Sequence, residues 1–388
     1  PTHTPTLRIP GYVGPKGDFL WPRIWGLRAS GLWYLGLRCK REDLSSHGCG
    51  WGRPFELNID QAATLITTAD LNSGAASGAI QLGTTDGRII VNGDLISTGA
   101  ANLGVGSDGG AVVIAASAPG GQVTISGDIS SSGGASTLPG RDGGAAGTVD
   151  VSTIDTTIEI NGSTIVASGG QPEEGFAGVQ GAGGTVTFAS PVSLGTAKTS
   201  ISTGATIGDI IFNGALDSAT AQDLELTSGQ GNISFNQAVG DGGNNLGAVT
   251  VNAAASVAFA STSTFTSFTQ LDLGTGTFQI ADQMTATTGA VEIQSETVDL
   301  NAGIQTTGQL IEIDSNAGNV SLDNGSLVTT GGDDQAGGAI EIDTAGGSIV
   351  LNGSLITTGG NAVAGAGQNG GAVSVAAFGA GTVTFHDG

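Results

Sequence analysis

The stretch Ile349-Val-Leu-Asn-Gly-Ser-Leu-Ile-Thr-Thr-Gly-Gly360 decides the fold of this chain. An apolar run ends in Asn-Gly, restarts as a short aliphatic run, and closes on threonines and glycines. Related cassettes occupy 89–99, 123–134, 158–170 and 320–332, and the central glycines are Gly93, Gly127, Gly162, Gly325 and Gly353. Where copies adjoin, these glycines are 34, 35 and 28 residues apart. A period of this size, made of strands and turns, is typical of an array whose units bury their apolar faces against their neighbours.

Each unit offers three short strands in which apolar and small polar residues alternate. In the last copies the apolar positions form two sets, Val320, Leu322, Leu327, Ile340, Ile342 and Ile349, Leu351, Leu355, Val373, Val375. Hairpins are disfavoured because the strands are very short and the pattern recurs once per unit rather than once per pair. We therefore predict an all-β fold, a right-handed parallel β-helix (β-solenoid) with about three short strands per coil. The hand follows from the right-handedness of parallel crossover connections.

Composition divides the chain near residue 56. The 388 residues include 69 glycines, well above the roughly 7% of an ordinary globular chain. Residues 1–56 contain all tryptophans, tyrosines and cysteines and have a formal charge of +4, whereas 57–388 has 3 basic and 30 acidic residues, or −27. We predict that 1–56 is a non-repeat segment, unstructured or non-native and consistent with frame-shifted translation. Residues 57–388 are predicted to form the β-helix domain, and the abrupt end at 388 suggests an internal fragment of a longer protein.

Glycine-rich segments interrupt the cassettes at 99–110, 133–147, 169–184 and 359–371. They vary in length while the flanking strands keep their pattern, so we expect them to project from a single side of the rod. Between about 190 and 318 the pattern is looser and richer in phenylalanine. There Phe212, Phe235 and Phe278 are predicted to face inward, in coils of larger cross-section.

Two sets of polar residues are structural or metal-binding candidates. Asn92, Asn161, Asn213, Asn324 and Asn352 each precede a glycine, a pair that suits a turn with positive φ. If these turns align, the amides can also hydrogen-bond from coil to coil as a ladder; turn chemistry alone explains them equally well. Asp108, Asp333 and Asp334 lie in glycine-rich loops that superficially resemble calcium-binding nonapeptides. Their spacing lacks the tandem nine-residue period, so we assign no metal or other cofactor and leave Ca²⁺ as a weak alternative.

The repeat region offers little for catalysis. After residue 56 the basic and histidine side chains are Arg88, Arg141, Lys198 and His386, too few for the clustered acid–base groups of a polysaccharide lyase or glycoside hydrolase. No nucleophile elbow, HExxH or phosphate-binding loop is present. Because of the net negative charge, we expect no nucleic acid as a partner. No apolar run approaches the ~20 residues of a membrane-spanning helix.

The cassettes resemble the repeats of filamentous-haemagglutinin-like adhesins and other giant bacterial surface β-helix proteins, over about 57–388. The resemblance rests on repeat style, and the Asn-Pro-Asn-Gly motif of the family's secretion domain is not found in the chain. It implies an extracellular or cell-surface, outer-membrane-associated protein that acts as a stalk or adhesin. The expected partner is a host cell, a neighbouring cell or extracellular matrix.

We accordingly expect a structural and adhesive rod without catalysis that attaches to its partner surface through its repeated loops. A fragment of a β-helix polysaccharide lyase or glycoside hydrolase is the first alternative. A Ca²⁺-binding secreted repeat protein is the second.

Overall fold

The chain forms a parallel β-helix. The computed structural model describes residues 55–59, 65–66, 76–85, 87–243, 245–271, 274–361 and 367–386, and within these ranges it contains strands and no helix. Every strand pairing in this part of the chain is parallel and joins strands one coil apart. The chain passes over three faces per coil, which we name A, B and C in the order in which they follow each other. The all-β parallel architecture is thus confirmed.

Among the described residues, face A carries twelve strands, a stack of about 53 Å at ~4.8 Å per step. They are β3 (Ile80–Thr84), β6 (Val112–Pro119), β9 (Val149–Ile154), β12 (Val186–Phe188), β15 (Ile210–Phe212), β18 (Asn232–Phe235), β20 (Ser256–Phe259), β22 (Gly274–Ile280), the second half of β24 (Val291–Leu300), β27 (Val320–Leu322), β30 (Ile349–Leu351) and β33 (Val383–Phe385).

Face B begins two residues before the predicted boundary at 57. Its strands are β1 (Phe55–Ile59), β4 (Gly87–Val91), β7 (Gln122–Ile125), β10 (Ile158–Ile160), β13 (Val192–Leu194), β16 (Leu216–Ser218), the first half of β21 (Ser263–Gln270), β23 (Met284–Ala286), β25 (Ile304–Thr306), β28 (Ser326–Thr330) and β31 (Ser354–Thr358). A single bridge at Val239 continues the face between β16 and β21. Residues 1–54 of the predicted non-repeat segment lie outside the described residues.

Face C completes each coil. Its strands are β2 (Leu65–Ile66), β5 (Leu95–Ile96), β8 (Ile129–Ser130), β11 (Thr164–Val166), β14 (Thr199–Ser202), β17 (Leu224–Thr227), β19 (Leu246–Ala253), the second half of β21, the first half of β24, β26 (Ile311–Ser315), β29 (Ile340–Thr344) and β32 (Val373–Ala377).

The inward residues of each face form continuous apolar columns. Register pairing places Val320 on Ile349 and Leu322 on Leu351, and all four are buried. Val373 and Val375 continue the columns of Ile340 and Ile342, but Val373 is 47% exposed because it belongs to the last described coil. Burial of each such side chain contributes roughly 1.5–3 kcal/mol. The predicted inward positions are therefore confirmed through the body of the rod.

The phenylalanine-rich coils are the shortest, so the expectation of a larger cross-section there is wrong. A coil takes 37 residues between the register partners Val149 and Val186, but only 20 between Phe278 and Val298. Phe188, Phe212, Phe235 and Phe259 lie in register on face A with ring centroids 5.1, 5.2 and 4.5 Å apart. Phe212, Phe235 and Phe278 are buried, as predicted. In-register stacking lets rings fill a compact coil, because each ring lies over its equivalent instead of needing extra width.

The five cassettes fall into two groups that differ by one face. The copies at 89–99, 123–134 and 158–170 run from face B to face C, whereas those at 320–332 and 349–360 run from face A to face B. As a result the first three glycine-rich segments lie at the corner between faces C and A, whereas 331–338 and the described residues of 359–371 lie between faces B and C. The expectation that they all project from one side is therefore wrong.

Candidate functional site

The three segments 99–110, 133–147 and 169–184 form one packed structure at the corner between faces C and A, which we call the glycine edge. Each segment leaves face C as an outgoing limb and comes back to face A as a returning limb. Limbs of successive coils bond to each other: Gly99 N–H donates to Ser132 O (2.8 Å), and Gly143 N–H donates to Val179 O (3.0 Å). These segments are therefore part of the hydrogen-bonded rod.

Hydrogen bonds in the glycine edge repeat every three residues. In the second returning limb, Gly143 and Ala146 donate to the next coil, at Val179 O and Ala182 O. The residues that follow them, Gly144 and Gly147, donate sideways to the outgoing limb of their own coil (2.8 Å each). A period of three matches the polyproline II conformation, whose amides are free to bond to neighbouring chains. The edge is thus a lattice of extended limbs bonded in two directions.

Glycine is required where limbs cross at closest approach. A row of bonds runs from Gly134 N–H to Ser107 O, Gly144 N–H to Gly134 O, and Gly170 N–H to Gly144 O, at 2.7–2.8 Å. A Cβ on Gly144 would overlap Ser107 O, and one on Gly170 would overlap Gly134 O. The Gly-Gly pairs of the sequence therefore reflect packing of backbone on backbone.

Buried hydroxyls anchor these segments to the core, which explains the Ser/Thr that precedes glycine in the cassettes. Ser131 Oγ donates to Gly110 O (2.7 Å) and is fully buried. In the other group of cassettes, Thr329 Oγ1 donates to Gly338 O (2.6 Å). Each bond gives a partner to a carbonyl of the glycine-rich segment where that segment meets the core.

The free ends of the glycine edge carry large apolar side chains in contact with solvent. We call Leu103, Val105, Leu138, Phe176 and Val179 the tip cluster; their exposed fractions run from 40% to 64%. The bond from Gly106 N–H to Asp142 O and that from Gly143 N–H to Val179 O place Val105, Asp142 and Val179 in register on successive coils. Five exposed apolar side chains are therefore held by three adjoining coils on a backbone that is fixed by hydrogen bonds.

The five candidate asparagines do not lie in one row. Asn92 and Asn161 lie at the corner between faces B and C, whereas Asn213, Asn324 and Asn352 lie between faces A and B. Their amides find different partners. Asn236 Nδ2 donates to Asn213 Oδ1 (2.8 Å), Asn352 Nδ2 lies 3.4 Å from Asp323 Oδ1, and Asn161 Nδ2 lies 3.5 Å from Ser126 Oγ.

Positive φ accounts for only part of the Asn-Gly turns. Gly162 and Gly325 have φ of 75° and 84°. Gly353 is not in that region, but a Cβ there would overlap Gly325 O of the preceding coil. Glycine is thus selected by conformation in some turns and by coil-to-coil contact in others.

The structure does not bring the three aspartates considered for Ca²⁺ together. Asp108 Oδ1 accepts the N–H of Ala145 (2.8 Å), so this carboxylate joins two coils of the glycine edge. Asp333 and Asp334 are exposed at the corner between faces B and C. Within the described ranges no group of three or more His, Cys, Asp or Glu side chains has metal-binding geometry.

Basic residues of the repeat are also dispersed. Arg88 lies in β4 on face B, Arg141 lies on the glycine edge, and Lys198 immediately precedes β14. Lys198 forms an ion pair with Glu225. Hydrogen bonds from Lys198 and Asn252 lower the pKa of Glu225.

Sequence reasoning missed a row of acids on face C. Glu292, Glu312 and Glu341 are in register on three successive coils, and Asp314 pairs with Asp343 beside them. Partial burial, reinforced by these neighbouring carboxylates, raises the pKa of Glu312 and of Asp314. The signal was present in the repeated Ile-Glu-Ile-Asp at 311–314 and 340–343.

Comparison with known proteins gives no relative: no family model matches the chain, and neither a curated protein nor a solved structure is significantly similar to it. A search of the described part of the chain for a helix able to cross a membrane found none.

Proposed function

We propose that this protein is a structural and adhesive rod that attaches to a surface through the glycine edge. The observation that carries the proposal is the tip cluster, five exposed apolar side chains on three adjoining hydrogen-bonded coils. Exposed apolar groups that share one corner of adjoining coils favour an interaction surface, whereas single scattered ones do not. A backbone already fixed before contact loses little conformational entropy on binding.

The expected setting is extracellular, at a bacterial cell surface and associated with the outer membrane. The partner surface would be a host cell, a neighbouring cell or extracellular matrix. This setting rests on the resemblance of the cassettes to filamentous-haemagglutinin-like repeats. Many such rods side by side would multiply a weak contact, because linked binding events raise the effective concentration of the next one.

The test uses beads coated with the full chain and applied to cell layers and to matrix. The tip variant replaces all five residues of the tip cluster with serine. The control variant replaces five exposed apolar residues elsewhere with serine, namely Ile66, Ile154, Leu271, Ile356 and Phe378. Each replaced side chain is exposed, so the fold should be preserved.

We expect beads with the tip variant to detach under flow that retains both wild-type and control beads. Equal retention of tip-variant and wild-type beads would refute the proposal. Turnover of an acidic polysaccharide by the purified chain, abolished by Arg141→Ala, would instead establish the lyase or hydrolase alternative.

A further inference from the structure

The charge around the tip cluster narrows the choice of partner. Arg141 is the one basic residue in the three segments of the glycine edge, which also contain Asp108, Asp142, Glu173 and Glu174. The repeat region as a whole is also strongly acidic, with 3 basic against 30 acidic residues in 57–388. A partner therefore approaches through a negative potential, which speeds the encounter of positively charged molecules and slows that of negatively charged ones.

Close contact at the tips is apolar, even though the surrounding field is negative. Leu103, Phe176 and Val179 are each more than half exposed. Two of the four local carboxylates are already engaged, since Asp108 Oδ1 accepts the N–H of Ala145 and Asp142 Oδ1 accepts that of Val179, both at 2.8 Å. The tips thus combine exposed apolar side chains with carboxylates: Asp142 is in register between Val105 and Val179, and Glu173 and Glu174 are close to Phe176 in the sequence. Such a combination is typical of a protein interface.

We infer that the tip cluster docks a protein segment that is both cationic and apolar, such as an amphipathic helix with lysines or arginines beside its apolar face. This inference rests on the proposed function and names the chemistry of its partner. The apolar face of the segment would cover the five tips, and its cations would meet Glu173 and Glu174 at the rim. An anionic lipid surface has the wrong sign for this rod, and a glycan would find Phe176 as the single aromatic ring of the cluster.

Three synthetic peptides of about 18 residues, five helical turns, test the inference by fluorescence anisotropy with the full chain. One is a Leu/Lys amphipathic helix, one is its Leu/Glu counterpart, and one is an oligolysine of equal charge. We expect the Leu/Lys peptide to bind the wild type and the control variant alike, and to bind the tip variant at least about tenfold more weakly. Oligolysine should bind weakly and equally to all three proteins.

The inference is overturned if the Leu/Lys peptide binds the tip variant as well as the wild type, if it does not bind at all, or if the Leu/Glu peptide binds as tightly. Failure of the peptides leaves the bead assay as a separate test. If tip-variant beads detach while wild-type beads stay attached, and the Leu/Lys peptide does not bind, the adhesive function stands and the cationic partner is rejected. Equal retention of tip-variant and wild-type beads would reject the adhesive function itself.

Discussion

Replacing Gly170 with alanine should open the glycine edge, because its Cβ would overlap Gly134 O and C in the outgoing limb of the preceding coil. The limbs must then separate, which strains or breaks the bonds from Gly170 N–H to Gly144 O (2.8 Å) and from Gly181 N–H to Gly170 O (2.9 Å). Overpacking costs about 1–3 kcal/mol and each lost bond about 1 kcal/mol. The lower entropy of the unfolded alanine chain offsets about 0.4–1 kcal/mol. The net loss is roughly 2–4 kcal/mol.

Native-state hydrogen exchange is the suitable assay, because coils contact only their neighbours and the loss should stay local. A loss of 2–4 kcal/mol corresponds to exchange roughly 30- to 700-fold faster in 167–184, with no change in 291–322. Gly104→Ala is the matched control in the same edge, since the nearest atom to its Cβ would be Asn102 Oδ1 at 4.0 Å. Equal protection of 167–184 in the two variants would show that the limbs are not packed as described.

Three further predictions concern the core, the buried hydroxyls and pH. Leu351→Asp buries an unpaired carboxylate and should lower stability by several kcal/mol, while Ser354→Asp on the exposed side should change it little; equal melting temperatures would contradict this register. Thr329→Val removes the donor to Gly338 O and should cost about 1–3 kcal/mol in urea unfolding, whereas Thr329→Ser should retain most of the stability. The pKa of Glu312 is raised in the folded state, so its stabilising contribution is complete below the unfolded value near 4.5 and is lost as pH rises through the folded value. Glu312→Gln should therefore protect 291–322 from exchange at neutral pH and not at about pH 4, and equal effects at both would contradict the carboxylate row.

The sequence could predict the coil because every coil must meet the same two demands. Inward positions such as Leu322 and Leu351 must be apolar, and strands must be short enough to turn three times. In the sequence, the first demand appears as alternation of apolar and polar residues, and the second appears as a regular repeat period. Phe212 and Phe235 were recognised as inward for the same reason, but stacking in register, which makes the coil compact, depends on residues more than 20 positions apart.

The glycine edge could be predicted only in part. Gly-Gly pairs indicated insertions at fixed positions. A glycine-rich sequence, however, is equally compatible with a flexible loop and with a packed limb. The choice is decided by bonds such as Gly170 N–H to Gly144 O, which join different coils and leave no mark on local composition. The exposure of Phe176 was hidden for the same reason, because an apolar residue among glycines is core or tip according to where the limbs lie.

The one-face difference between the two groups of cassettes has a physical origin and a functional consequence. Faces A, B and C each require the same sequence pattern, a short alternating strand followed by a corner. A cassette can therefore lie over faces B and C or over faces A and B. The first choice places apolar tips at the corner between faces C and A; the second places the exposed carboxylates of Asp333 and Asp334 between faces B and C. Copies of one cassette therefore supply two different surfaces on two edges of one rod. Attachment through the tips, as proposed, would leave Asp333 and Asp334 at a different corner from the contact, where their negative charge would repel neighbouring rods.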